Sequence, residues 1–264
     1  MGKNTAMKCC SVRFYAELND FLPWERRQIA FNHFFSGQPA IKDLIESLGV
    51  PHTEVDLILV NGESVEFSRR VQNGDRISVY PVFETINISS ITQVRPVPLR
   101  KVHFVLDVHL GKLVLYLRMA GFDALYSNEF SDDELVRISV EARRILLSRD
   151  RDLLKRSNVT HGYYVRTTDP PMQLVEVLHR FDLFKMIQPF RRCLRCNEIL
   201  EPAYKEKVEG RLPPKIREQF DEFSLCRGCG RVYWKGSHYE HMRNFLRQIQ
   251  GMEFENQPFI QVRR

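Results

Sequence analysis

Val102-His-Phe-Val-Leu-Asp107-Val-His-Leu-Gly-Lys-Leu-Val-Leu-Tyr-Leu-Arg-Met-Ala-Gly121 carries a short apolar strand into a helix through one aspartate. Residues 102–106 read as the strand. Leu110, Leu113, Val114 and Leu117 then recur on one helical face, which stops near Gly121. The alternation continues downstream. Residues 124–126 read as a second strand, and Ser131 with Glu134 forms a capping box for a helix bearing Leu135, Ile138 and Ala142. Residues 145–147 and 163–165 read as two further strands, and residues 172–183 as a last helix behind Asp169-Pro170-Pro171. Strands alternating with helices predict an α/β fold, a mostly parallel sheet covered by helices.

In such a sheet the C-terminal ends of the strands share one edge, where ligands bind. Asp107 and Asp150 each follow a strand, Asp152 comes two residues later, and Asp132, Asp133 and Glu134 open a helix. Carboxylates gathered there would hold Mg²⁺ or Mn²⁺, which activates water and shields phosphate charge during phosphodiester hydrolysis. Each acid also has a plainer reading. Asp at a strand-to-helix junction caps the helix, and acids in a first turn suit its dipole. That reading weighs most on Asp132, Asp133 and Glu134. Asp123 precedes a strand, at the opposite edge, and reads as structural.

Upstream, Val12, Phe14, Ala16 and Leu18 alternate with Arg13, Tyr15 and Glu17, the period of a half-buried strand. Pro39 opens a helix with Ile41, Leu44, Ile45 and Leu48 on one face, closed by Gly49. Residues 55–60 and 63–67 flank Asn61-Gly62, a strong hairpin signal. Asn73-Gly74-Asp75 turns the chain into a last strand over 76–82. Strands, one helix and more strands predict a β-grasp, ubiquitin-like module over residues 1–85. Residues 86–100, aperiodic and holding Ser, Thr and Pro, read as a linker.

Downstream, Cys193-Leu-Arg-Cys196 and Cys226-Arg-Gly-Cys229 bracket 29 residues with little helical or strand periodicity. Two such knuckles let four thiolates surround one ion tetrahedrally, a soft and closed set that suits structural zinc. A redox pair would need a thioredoxin-like setting, and two disulfides an oxidising compartment. With four cysteines available, His238 and His241 read as surface residues. The predicted ribbon covers residues 190–245, followed by a tail over 246–264.

The chain has 264 residues, 43% hydrophobic and 27% charged, which leaves ample material for a core. The net charge of +6 is uneven. Residues 1–90 hold 9 basic and 11 acidic side chains, residues 91–190 hold 15 and 12, and residues 191–264 hold 15 and 10. The last two thirds are therefore where a polyanion such as nucleic acid would dock. No apolar run approaches the roughly 20 residues that cross a bilayer. The first six residues form no hydrophobic signal region, and Ala6 stands where myristoylation wants Ser or Thr. The expectation is a cytoplasmic chain without a membrane partner.

The ordered set Asp107, Leu110-Gly-Lys-Leu113, Leu117-Arg-Met-Ala-Gly-Phe-Asp123, Ser131-Asp-Asp-Glu-Leu135 and Ile145-Leu-Leu-Ser-Arg-Asp-Arg-Asp-Leu-Leu154 resembles the Mut-seven C-terminal ribonuclease domain. That family has a PIN-like nuclease fold ending in a Cys-x-x-Cys…Cys-x-x-Cys ribbon, and Cys229-Gly-Arg-Val-Tyr-Trp-Lys-Gly-Ser-His-Tyr239 is similar to its close. Val55-Asp-Leu-Ile-Leu-Val-Asn-Gly-Glu-Ser-Val65 and its surroundings resemble the ubiquitin-like domain found in front of it in bacterial proteins.

The resemblance implies a metal-dependent ribonuclease, with residues 101–189 as the nuclease domain and one structural zinc per chain. It implies Asp107, Asp132 or Asp133, and Asp150 as acids holding Mg²⁺ or Mn²⁺. Many PIN nucleases carry a further acid on a helix where residues 110–120 have none. Glu129 and Asp152 are the candidates to replace it. Lys112, Arg118 and Arg149 are candidate RNA contacts. So are Lys235 and His238, from the mixed aromatic and basic run over 231–239, where Trp234 reads as packing of the ribbon. The ubiquitin-like module continues as Tyr80-Pro81-Val82-Phe83-Glu84 without a Gly-Gly end, which favours docking to a protein partner over acyl carriage. The alternative function is a non-catalytic RNA-binding adaptor built on a degenerate PIN-like fold.

Overall fold

A computed structural model describes residues 7–81, 90–94 and 101–252. Most of the expected linker, residues 82–84, the first six residues and the end of the tail (253–264) lie outside the described residues.

The N-terminal module contains β1 (Lys8–Phe14), β2 (Phe31–Phe35), α1 (Ile41–Ser47), β3 (Leu57–Val60), β4 (Glu63–Ser64) and β5 (Arg76–Tyr80). The sheet order is β2-β1-β5-β3-β4, parallel at β1–β5, as in a β-grasp. Cys10, Val12 and Phe14 point inward with Ile58, Ile77 and Val79 and meet Ile41, Leu44 and Ile45 of α1. Each large side chain so buried contributes about 1.5–3 kcal/mol. Asn61 (φ 54°) and Gly62 (φ 96°) are both left-handed, which a two-residue hairpin needs to match the twist of its strands.

In this module one local expectation fails and one strand was not anticipated. The strand expected over 12–18 ends at Phe14, and Ala16–Phe21 forms a 3-10 turn. Strand β2 carried no clear alternation. Phe31, His33 and Phe35 share the face of Val12 and Cys10, but Phe34 on the other face is exposed, so aromatic residues occupy both faces.

The middle region follows as β6 (His103–Leu106), α2 (Gly111–Met119), β7 (Asp123–Leu125), α3 (Asp132–Glu141), β8 (Ile145–Ser148), α4 (Arg151–Leu154), β9 (Gly162–Tyr164) and α5 (Pro170–Arg180). Its strands pair in parallel, Phe104 opposite Ala124 in β6–β7 and Leu147 opposite Tyr163 in β8–β9. Leu113, Val114 and Leu117 are buried on α2, which packs on α5. Ser131 Oγ accepts from the Glu134 N–H at 3.3 Å, the expected cap of α3. Gly121 ends α2 at φ 98°, and a Cβ there would lie 2.2 Å from the Gln188 carbonyl oxygen. No other residue allows residues 188–190 to run so close along the end of α2.

The last region contains β10 (Leu200–Ala203), α6 (Lys205–Val208), α7 (Pro214–Gln219), β11 (Phe223–Cys226), β12 (Val232–Trp234) and α8 (Ser237–Gly251). The antiparallel sheet β10-β11-β12 has a small core of Val208, Leu212 and Phe223, against which Trp234 packs. The expected boundary between ribbon and tail at residue 246 falls inside α8. Leu246 and Ile249 are buried, and Phe245 stacks on Tyr116 of α2 with ring centroids 4.9 Å apart. Its narrow apolar stripe among many charged and polar residues hid this helix from the sequence reading. Among the described residues, no helix is long and apolar enough to cross a membrane.

The chain divides into two compact units that cut across the consecutive domains expected. One comprises Met1–Lys101 and Ser131–Tyr164, the other Val102–Phe130 and Val165–Arg264. In the first, the β-grasp module is packed on α4 and β9. His52 Nδ1 lies 2.6 Å from Glu46 Oε1 and its Nε2 lies 2.8 Å from the Val159 carbonyl. Glu54 Oε1 accepts from the Tyr164 N–H at 2.6 Å, and Phe21 meets the Tyr164 ring edge-on. In the second, β6, α2, β7 and α5 are joined to the cysteine ribbon.

Candidate functional site

The two Cys-x-x-Cys segments fold alike. The Cys193 N–H donates to the Glu198 carbonyl and the Cys226 N–H to the Arg231 carbonyl, at 2.8 and 2.9 Å. The Asn197 N–H returns to the Cys193 carbonyl, and the Gly230 N–H to that of Cys226. Asn197 and Gly230, which follow the second cysteine of each segment, are both left-handed with φ 72°. Asn and Gly are the residues that adopt this conformation most readily. The paired turns aim four thiols at one point, with all their sulfur atoms within 4.8 Å of one another.

Cys193 and Cys229 are 3.6 Å apart and Cys196 and Cys226 are 3.3 Å apart, too far for disulfides. Zinc bound tetrahedrally to sulfur at about 2.3 Å separates its ligands by about 3.8 Å, so the cluster is compatible with structural zinc. Burial raises the Cys193 thiol, but the Tyr233 hydroxyl, 3.1 Å away, and the N–H groups of Cys196 and Arg195 outweigh it and bring the thiol to about 6. Burial carries Cys226 up to about 12. His238 and His241 are exposed on α8, outside the cluster.

The first knuckle is bonded to the strands and helices beside it. Arg118 of α2 is 4% exposed. Its Nε donates to the Ala124 carbonyl at 2.9 Å, and its Nη1 to the carbonyls of Leu194 and Arg195 at 3.0 and 2.7 Å. This corrects its expected role as an RNA contact. Its position on the ribbon side of α2 spends the guanidinium on knuckle carbonyls and leaves it no access to a ligand. Burial lowers its pKa, while the nearby Cys193, Cys196 and Asp123 oppose that shift. Buried Asn197 accepts from the Ala124 N–H at 3.0 Å and donates to Asp123 Oδ1 at 2.8 Å. Arg192 pairs with the other oxygen of Asp123 at 3.4 Å. Neither Asn197 nor Arg192 stands out in the sequence as a site residue. The available signal was an Asn directly behind the second cysteine, where the other knuckle has Gly.

Asp107 stands at the C-terminal end of β6 and is 5% exposed. Its carbonyl accepts from the Leu110 N–H and starts the turn into α2. Burial, and then the charge of Asp107, raises the pKa of Tyr126, whose hydroxyl lies 3.1 Å from the Val108 carbonyl.

The other acids belong to the first unit. Asp132 and Asp133, in the first turn of α3, both pair with Arg156, the former at 3.3 Å. Exposed Asp150 follows β8 and caps α4, its Oδ1 accepting from the N–H groups of Asp152 and Leu153 at 2.8 and 3.4 Å. Both bonds use the same oxygen, which leaves Oδ2 out of the cap. Asp152 pairs with Lys155 at 3.2 Å. Within this unit, Asp132 and Asp133 are brought together on one arginine, and Asp150 and Asp152 are engaged separately.

Of the remaining expected contacts, Lys112, Glu129 and His238 are exposed and Arg149 is half-buried. Lys235 is exposed and pairs with Glu222 at 2.5 Å.

Residues 102–246 match the family profile of the Mut7-C RNAse domain, and residues 7–87 match that of Mut7-C ubiquitin. No curated protein and no solved structure matches the chain.

Proposed function

The chain belongs to the Mut7-C RNAse domain family, and from that premise we propose that it is a metal-dependent ribonuclease hydrolysing RNA phosphodiester bonds. The observation that carries the reading is the family match over residues 102–246, which includes a buried aspartate ending a parallel strand. We assign Asp107, Asp150, and Asp132 or Asp133 to a Mg²⁺ or Mn²⁺ ion, with Asp152 as a supporting acid. Carboxylate oxygens are the donors these hard cations take, although among the described residues only the four cysteines bring three or more candidate ligand atoms together. The ion supplies a more acidic water and neutralises charge on the phosphate. The chain's own residues supply the negative charge that holds it. Asp150 offers Oδ2 while Oδ1 keeps α4 capped. Asp132 and Asp133 would have to give up Arg156 to join it, and Arg156 then becomes free to meet a phosphate.

One structural zinc per chain is assigned to Cys193, Cys196, Cys226 and Cys229. Four thiolates leave no open position, so this zinc has no catalytic part. Reduced thiolates also suit the cytoplasm, where we place the chain. Lys112, Arg149, Lys235 and His238 remain proposed RNA contacts. The β-grasp module is assigned to a protein partner, approached from a face other than the one packed on α4 and β9.

A non-catalytic RNA-binding adaptor is the second reading. It is favoured by α2, whose sequence from Gly111 to Met119 has no acid. Incubating the protein with total cellular RNA, with and without Mg²⁺ or Mn²⁺, separates the two. New RNA ends that require the metal support the ribonuclease; bound but intact RNA under every metal supports the adaptor.

A further inference from the structure

Beside the second knuckle lies a groove of about 550 Å³ that neither the zinc ligands' chemistry nor the acids explain. Tyr204, Lys207, Arg211 and Arg227 line it, with Leu225 among the residues of its wall. Tyr204 is 77% exposed, an unusual position for a large aromatic ring in a module with so small a core. Two of the three cations around it are hydrogen-bonded in place. Arg211 Nη1 donates to the Gly230 carbonyl at 3.2 Å, and Arg227 Nε donates to Glu201 Oε2 at 2.7 Å. Glu201 is the one acid lining the groove, so three cations face one carboxylate there.

We propose that this groove binds a nucleotide of single-stranded RNA, with the base stacked on Tyr204 and the phosphate met by Lys207, Arg211 and Arg227. An open aromatic face next to clustered cations matches the two parts of a nucleotide, a flat base and an anionic phosphate. An acidic peptide would satisfy the cations but leave the ring unused. A duplex would satisfy them too, with its bases stacked on one another and out of reach. The choice of RNA rests on the ribonuclease reading; the groove itself rests on these four side chains. It lies in the same compact unit as Asp107, so substrate held here would be held by the unit that carries that acid.

The test is fluorescence anisotropy of a labelled 12-nucleotide single-stranded RNA with the full-length protein, in buffer free of Mg²⁺ and Mn²⁺. Tyr204→Ala should weaken binding about tenfold or more, as loss of one base stack does, and Tyr204→Phe should bind like wild type. Arg211→Ala and Lys207→Ala should each lower the slope of log affinity against log salt by about one. Zinc content and circular dichroism of each variant establish that the ribbon is intact. Unchanged affinity in a folded Tyr204→Ala protein would overturn the proposal, as would equal dependence on Tyr204 for a duplex of the same sequence. Wild-type protein that cleaves RNA but does not bind the probe would overturn the groove and leave the ribonuclease standing. Protein that binds through Tyr204 but never cleaves would do the reverse.

Discussion

The guanidinium of Arg118 donates to the Arg195 carbonyl at 2.7 Å and so fastens the last turn of α2 to the first cysteine knuckle. The same residue reaches Leu194 and Ala124, and one buried cation thus holds a helix, a strand end and a cysteine turn. The helix that follows Asp107 and the ribbon are therefore one mechanical piece.

Arg118→Ala should destabilise this unit by about 3 kcal/mol, because buried carbonyls lose charged donors. Thermal unfolding should begin several degrees lower. Arg118→Lys keeps the charge but lacks the planar fork and should fall between the two. Lys112→Ala, on the exposed face of the same helix, should melt like wild type. Equal stability of Arg118→Ala and wild type would contradict the brace.

Zinc should be present at about one ion per chain, and Cys226→Ser should lose it. Ligand binding energy is folding energy in such a module, so hydrogen exchange over β10, β11 and β12 should accelerate in the variant. The effect should pass to β7, whose Ala124 N–H depends on Asn197 in the first knuckle. A protein with all four cysteines reduced and no bound metal would contradict the assignment.

Glu54→Leu should leave the Tyr164 N–H without its 2.6 Å partner, and His52→Ala should free the Val159 carbonyl. An unpaired buried group costs about 1–3 kcal/mol. Hydrogen exchange of the segment from Val159 to Tyr164 should rise in both variants, with the β-grasp core protected as before. Unchanged exchange there would mean that the module is tethered rather than packed.

Much of this was legible in the sequence, for reasons that differ by element. The stripe of Leu110, Leu113, Val114 and Leu117 marked α2 because one helical face is fully buried while the other is wet. Asn61-Gly62 marked its hairpin because a left-handed pair admits few residues. The four cysteines declared their own convergence. Strand β2 stayed hidden because Phe34 puts an aromatic ring on the outer face. Helix α8 stayed hidden because its buried stripe, Leu246 and Ile249 with Phe245 at its edge, is narrow amid polar residues. The fate of Arg118 was invisible in principle. A lone arginine near a helix end looks the same whether it meets solvent, RNA or the carbonyls of a turn 76 residues away.

Asp150→Asn should keep α4, since an amide oxygen caps nearly as well as a carboxylate, while Asp150→Ala should cost about 1 kcal/mol of stability. Metal-dependent cleavage should disappear in both. Cleavage lost in the alanine variant alone would show that Asp150 serves the helix and not an ion.

The most direct measurement is the rate of metal-dependent RNA cleavage by purified Asp107→Asn protein beside wild type, each with its zinc content checked. Asparagine keeps the size of the side chain and loses the charge that holds a hard cation. A ribonuclease using Asp107 should lose at least a hundredfold in rate, with zinc and melting temperature near wild type. Cleavage that persists in Asp107→Asn, or that survives chelation of Mg²⁺ and Mn²⁺ in either protein, would contradict the assignment.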